Sequence, residues 1–192
     1  MQKIGTIQFV QVQRAPMKIM IDDVRTYRPD PLLKVDKLLL TADGVVGFQD
    51  GIEHIDAHNA NHEQTRHRAH NKISFGFTIA YDDMRQRFGQ HMDDGIAAEN
   101  IILQAEGDSL PDIAGKRLFI RTADDTLVEL TGVMAAAPCR EFSIFCHQRE
   151  IGGSELKDTL QFLDNGRRGY YAILADEDCQ CFVQAGDELL VE

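Results

Sequence analysis

The chain has 192 residues, of which 43% are hydrophobic and 27% charged, with a formal net charge of -11. That length and balance fit one soluble domain able to bury a sizeable core. The acidic excess argues against a general nucleic-acid binder, which needs a basic face, and against attraction to an anionic membrane surface.

In chain order, Lys3 to Gln13 predicts a strand, with Ile4, Thr6, Gln8, Val10 and Val12 on one face and Ile7 and Phe9 on the other. The opening residues lack the apolar core and cleavage site of a signal peptide, and no apolar run approaches the ~20 residues of a membrane span. A cytoplasmic location is the default expectation. Met17 to Ile21 and Lys37 to Leu40 predict short strands, and the two prolines of Arg28-Pro29-Asp30-Pro31 exclude a helix between them. Gly44 to Gly51 reads as turn-rich. Thr78 to Phe88 predicts a helix, with Tyr81, Met84 and Phe88 on one side and Gly89 as its stop. Asn100 to Leu103, Arg117 to Arg121 and Thr126 to Met134 predict strands. Pro138 to His147 and Ser154 to Leu163 predict helices, the second with Leu156, Leu160 and Leu163 as its apolar stripe and Asn165-Gly166 as its stop. Tyr170 to Leu174 and Leu189 to Val191 predict closing strands, with Gly186-Asp187 as the turn before the last. Many short strands with a few interposed helices point to a mainly β, barrel-like domain without linkers or repeats.

The residue best suited to chemistry is Cys139. Pro138 suits the first position of a helix, which would put Cys139 in the first turn, under the positive end of the backbone dipoles and beside Arg140. Both effects favour the thiolate, the form that acts as nucleophile and soft-metal ligand. A buried structural thiol is the alternative. Cys146 follows two helical turns later, about 10 Å away along a helix, too far for a disulfide, and reads as core. Cys179 and Cys181 form a Cys-x-Cys after an acidic stretch that reads as a hairpin turn, and no second pair follows a zinc spacing.

Five of the seven histidines fall within residues 54–70. His54, His58 and His62 would share one face of a helix and could hold a metal there, but the segment is rich in Asn and lacks an apolar stripe, which favours a polar loop. Arg66, Arg68 and Lys72, interleaved with His67 and His70, make a basic island on an acidic chain. Such an island suits an anion, or else it is a solvated loop. Hydrolase and phosphate-loop signatures are absent: there is no Gly-x-Ser-x-Gly, no Gly-x-x-x-x-Gly-Lys-Ser/Thr and no His-Glu-x-x-His.

A set of ordered motifs carries a resemblance. They are Ala98-Glu99-Asn100 before a strand, Gly115-Lys116-Arg117-Leu118, and Ala137-Pro138-Cys139 before a helix. Asn165-Gly166-Arg167-Arg168-Gly169-Tyr170-Tyr171 and Gly186-Asp187-Glu188 complete the order. Together they resemble the MOSC domain, the module named for the C-terminal part of molybdenum-cofactor sulfurases. The match covers residues 95–191 best, and the whole chain, 1–192, reads as a single such domain. In the N-terminal half Asp43-Gly44-Val45-Val46-Gly47 and Arg68-x-x-x-Lys72-Ile73-Ser74 match loosely. The family's Gly-Glu-Asn has Ala98 at its first position here, so a positive φ at that residue would be strained.

The resemblance implies a MOSC-type β-barrel with a few interposed α-helices. It implies that Cys139 either carries sulfur as a persulfide or ligates molybdenum in a bound pterin, the molybdenum cofactor (molybdopterin). Asn100 then lines the cofactor pocket with Glu99 and Arg140, the cations Arg68 and Lys72 hold the anionic pterin, and Arg168 stands at the pocket rim. Glu99 reads equally as a possible acid or base or as a structural hydrogen-bonding group. The expected partners are the anionic pterin or a sulfur-donor protein, with no nucleic acid and no membrane, and oligomeric state open. Three functions follow: sulfur transfer or molybdenum-cofactor binding; a molybdenum-dependent reductase of N-hydroxylated compounds; or a non-catalytic module that binds a cofactor or partner.

Overall fold

The computed structural model describes residues 1–65 and 68–192. Its first element, β1 (Gln2–Gln13), is the longest strand and organises the rest. β2 (Lys18–Ile21) and β3 (Val24–Tyr27) form a separate hairpin, followed by β4 (Leu32–Val35), β5 (Lys37–Thr41), β6 (Gly44–Gln49) and β7 (Ile52–Ile55). β8 (Ile73–Phe77) runs directly into α1 (Thr78–Phe88), and a loop leads to β9 (Ile101–Ala105). β10 (Leu118–Arg121), β11 (Leu127–Ala135), α2 (Arg140–His147), α3 (Gly153–Leu163), β12 (Tyr170–Leu174), β13 (Cys181–Gln184) and β14 (Glu188–Val191) complete the chain.

Seven strands close a barrel in the order β14-β10-β11-β12-β8-β9-β1, with β1 pairing back to β14. All these pairings are antiparallel except β8 with β9, the pair that α1 connects. On its other edge β1 is shared, with β14 along Gln2–Thr6 and β4 along Val10–Gln13. A second sheet, β13-β5-β6-β7, lies over the barrel and adds Leu38, Leu40, Val45 and Val183 to the core that holds Ile7, Val10, Val12, Phe75 and Leu130. Its approach is close: a Cβ at Gly47 would stand 2.8 Å from Val12 Cγ1 and 3.1 Å from Val35 Cγ1. A second core joins the hairpin to the helices through Tyr27, Tyr81, Met84, Phe142, Cys146 and Leu163. Among the described residues no helix is long and apolar enough to cross a membrane.

Several expectations change. The segment Gly44 to Gly51 is not a run of turns: Val45, Val46 and Phe48 favour strand, and pairing with β5 makes it β6, with the turn confined to Asp50 and Gly51. The simple alternation expected along β1 fails because the register shifts between Ile7 and Phe9, so Ile7 and Val10 both reach the core. Helix α2 starts at Arg140 rather than Pro138, with Cys139 as its extended N-cap (φ -124°, ψ 158°). The turn at Asp176 to Cys179 is present, but β12 and β13 do not pair across it, because β13 joins β5 in the other sheet. By contrast, α1 begins and ends where its periodicity and Gly89 indicate.

Candidate anion-binding site

The loop before β9 is braced by side chains from three other elements. Gln11, on β1, donates from Nε2 to the carbonyls of Gly95 (2.7 Å) and Glu99 (2.8 Å). The Tyr27 hydroxyl donates to the Ile96 carbonyl at 2.7 Å. The Tyr81 hydroxyl, from α1, accepts from the Ala97 N–H at 3.2 Å and donates to Glu99 Oε2 at 2.6 Å. Each partner comes from a different element, so the loop's path depends on the whole fold. Ala98 has φ +74°, the left-handed conformation that glycine adopts most readily.

This bracing presents Glu99, 1% exposed, to the interior. Two glycines make room for its carboxyl group. A Cβ at Gly76 would lie 2.7 Å from Glu99 Oε1, and one at Gly169 (φ +97°) would lie 2.8 Å from its Cγ and 2.9 Å from Oε1. Burial pushes the carboxyl above the usual glutamate range, while the Arg168 charge and the Tyr81 hydrogen bond pull the other way. Oε1 has no hydrogen-bond partner among the described residues.

Arg168, just before β12, is the matching cation. Its Nε is buried and without a partner among the described residues, and its guanidinium lies 5.0 Å from the Phe142 ring centroid. Burial alone would lower its pKa, but Tyr171, Tyr27, Glu99 and Tyr81 around it hold the group above its ordinary value.

Glu99 and Arg168 line a cavity of about 240 Å³ beside the start of β8 and the β11–β12 pair. Lys18 and Arg25 reach it from the hairpin, Arg68 from the loop before β8, and His58 from the loop after β7. Four cations thus stand against one buried carboxyl on a chain of net charge -11. Lys18 and Arg25 also lie 3.5 and 3.7 Å from the Glu141 carboxylate on α2, which ties the hairpin to that helix. Coulomb attraction in such a concave, partly desolvated place favours an anion.

The other expected site residues separate into two groups. Asn100 does not line the cavity, and its amide is fully engaged. Oδ1 accepts from the Ser74 N–H (3.1 Å) and hydroxyl (2.8 Å), and Nδ2 donates to Asp56 Oδ2 (2.9 Å) and the Gln11 carbonyl (3.3 Å). It joins β8, β9 and β1 at the cavity floor through Asp56, which in turn accepts from the N–H groups of Gln13 and His58. Arg140 is exposed and paired with Glu150 at 3.1 Å, outside the cavity, and Lys72 is half-buried but also outside it. Arg66 and His67 lie outside the described residues. His54 falls on β7 and His58 and His62 in turns, so the three share no helix face. No cluster of metal-ligating side chains occurs among the described residues.

Cys139 is half-buried against the second core and has a free thiol. Its carbonyl accepts from the Ser143 N–H (3.0 Å) and hydroxyl (2.9 Å), while its side chain makes no capping bond. It does not line the cavity but adjoins its hairpin wall: it is near Tyr27, and Glu141, the acid between Lys18 and Arg25, sits two residues on. The cation expected to sit beside the thiol, Arg140, is instead occupied by Glu150. Cys146 is buried, with its thiol pushed up to about 12 by desolvation.

The residues that local patterns did not single out are Lys18, Arg25 and Tyr27, while His58, Tyr81 and Tyr171 stood in patterns read otherwise, as a histidine repeat, a helix face and a motif end. Lys18, Arg25 and Tyr27 share the β2–β3 hairpin, but nothing in the local sequence indicates that this hairpin meets Glu99 and Arg168.

The chain matches no protein-family model, and no similar sequence is found among proteins of curated function. Several solved structures share its fold, two of them as follows. The YuaD protein from Bacillus subtilis is 13% identical with a TM-score of 0.57, over 97% of this chain and 94% of that one. YiiM from Geobacillus stearothermophilus is 12% identical with a TM-score of 0.53, over 98% of this chain and 75% of that one. The fold is thus the expected mainly β, MOSC-type barrel with interposed helices, and the likeness is one of fold.

Proposed function

We propose that this MOSC-like domain binds an anionic cofactor or sulfur-bearing ligand in the 240 Å³ cavity and uses Cys139 as a sulfur carrier in molybdenum-cofactor handling. The observation that carries the reading is the cavity itself, whose cations Lys18, Arg25, Arg68 and Arg168 line one pocket of a strongly acidic protein, with a free thiol next to its hairpin wall.

The polar lining fits the anionic pterin of the molybdenum cofactor. Arg168 Nε lacks an acceptor, which an oxyanion supplies, and Glu99 Oε1 lacks a donor, which a ring N–H supplies. Arg168, Arg68, Lys18 and Arg25 would hold the oxyanion, and Glu99 the heterocycle. The chemistry the bound group supplies is that of a soft, redox-active metal. The Cys139 thiol stands outside the lining, which favours the carrier role over a thiolate fixed on a metal within the cavity.

In the carrier step, the Cys139 thiolate attacks the terminal sulfur of a persulfide donor. One S–S bond forms at Cys139 as the donor's S–S bond breaks, and the donor leaves as a thiolate with the bonding pair. No net oxidant or reductant is consumed. Cys139 is half-buried rather than enclosed, as approach by a donor requires.

The test is mass spectrometry under non-reducing conditions after incubation with a low-molecular-weight persulfide donor. Addition of one sulfur atom on Cys139, absent from Cys139→Ser, is expected. Loss of the mass shift on reduction confirms a persulfide. Equal loading of wild type and Cys139→Ser, or none in either, overturns the carrier role.

A further inference from the structure

β2 and β3 form a two-stranded sheet by themselves, covered on one face. Lys18, Met20, Arg25 and Tyr27 share the face toward α2, where Tyr27 packs on Phe142 and Phe145 with ring centroids 5.1 and 5.3 Å apart. Ile19, Ile21 and Val24 share the opposite face and are exposed, and Met20 near the hairpin tip is 63% exposed. Four of the ten exposed large apolar side chains among the described residues therefore crowd onto this hairpin. Beyond β3, β2 has no strand partner among the described residues, so its other edge is open. The Arg28 N–H donates to the Met17 carbonyl at 2.7 Å, which sets the alternation of the ladder. Ile19 and Ile21 then bond to β3, while the N–H and C=O groups of Lys18 and Met20 point outward from the open edge. Such a row of unpaired backbone groups is a template for another strand.

The edge is complementary to itself. A two-fold axis through Met20 opposes Met20 to Met20, Ile19 to Ile21 twice, and Lys18 to the exposed Asp22-Asp23 turn twice. Met20 exchanges both backbone hydrogen bonds with its equivalent, and the isoleucines meet as a non-bonded pair, the closer kind. An axis through Lys18 would instead oppose two ammonium groups and set Pro16, which has no N–H, against Met20. We propose that the open edge of β2 pairs antiparallel with that of a second copy of this chain, giving a homodimer with a continuous sheet β3-β2-β2-β3. The paired segment is short, so the dimer forms and dissociates with concentration. Lys18 also lines the cavity, and the second copy's turn therefore stands beside a cation of that site.

Sedimentation equilibrium of the full chain, at concentrations up to about 1 mM, reads the association. Hydrogen exchange on the same samples reads its place: the Lys18 and Met20 amides should gain protection as concentration rises. Met20→Pro removes an outward N–H at an edge position, where strands accept proline, and should weaken the dimer at least tenfold. Replacing both turn carboxylates, Asp22→Asn with Asp23→Asn, keeps residues suited to their left-handed backbone (φ +47° and +63°) and should weaken it about threefold at low salt. If Met20→Pro does not fold, protection of the Met20 amide in the wild type decides. A wild type that stays monomeric throughout overturns the proposal. So does a dimer that Met20→Pro leaves intact, one that forms without protection at Met20, or one indifferent at low salt to loss of the turn carboxylates.

Discussion

Tyr81→Phe tests how the site is held together. The substitution keeps the ring in the second core and removes one oxygen. That oxygen donates to Glu99 Oε2 at 2.6 Å and accepts from the Ala97 N–H at 3.2 Å, both in buried surroundings. A hydrogen bond to a charged group contributes about 1.5–3 kcal/mol, and a buried N–H left unpaired costs about 1–3 kcal/mol. The expected loss at pH 7.5 is therefore about 2.5–6 kcal/mol, a large part of a domain's stability. The pH dependence has a definite sign. Burial raises the Glu99 pKa in the folded state above its unfolded value, so its contribution to stability is fully present below about pH 4.3 and declines as pH rises through the folded value. The Tyr81 hydrogen bond opposes that rise, so its removal pushes the pKa higher and steepens the decline. At pH 5 more of the carboxyl is protonated, and the neutral bond lost is worth only about 0.5–1.5 kcal/mol. Urea unfolding followed by far-UV circular dichroism at pH 7.5 and pH 5 measures both losses. A loss below about 1 kcal/mol at pH 7.5, or one that grows toward pH 5, would refute the arrangement.

Ala98→Gly relieves the left-handed backbone at φ +74° and should raise stability by about 0.5–1 kcal/mol after the entropy cost of glycine, read as a higher melting temperature; Ala98→Val should lower it. Asn100→Ala strips the Ser74 and Asp56 contacts and should cost about 2–4 kcal/mol in urea unfolding. Because the amide does not line the cavity, sulfate affinity of the folded variant should stay within about threefold of wild type, about 0.6 kcal/mol, and a larger loss would place Asn100 in the site. Cys146 and Cys181, pushed up to about 12 and about 11 by burial, should resist iodoacetamide at pH 8 in the folded protein and react after urea is added. Early labelling of Cys146 would contradict its place in the core.

Local sequence signals carried much of the fold. The α1 boundaries follow from apolar spacing and Gly89, and the strands β9 to β12 follow from short alternating runs. Glu99 and Arg168 were legible because they sit inside ordered motifs, Ala98-Glu99-Asn100 and Arg167-Arg168-Gly169. The positive φ at Ala98 was legible for the same reason, as a backbone requirement attached to a motif position. β6 was obscured by its glycines, because turn propensity and pairing with β5 compete and only the pairing is non-local.

By itself the sequence determined the class of fold, most of its C-terminal elements, and the acidic background against which a cationic pocket stands out. These depend on periodicity, turn chemistry and composition, all properties of neighbouring residues. Only the tertiary structure decided that Asn100 braces the cavity floor without lining it, that Arg140 turns to Glu150, and that Cys139 caps α2 beside the cavity rather than within it. It also decided that Lys18 and Arg25 on an isolated hairpin, Arg68 in a loop and Arg168 before β12 meet in one place. Tertiary packing brings Lys18 and Arg168, 150 positions apart, to one cavity, and no local pattern encodes which residues will face one another.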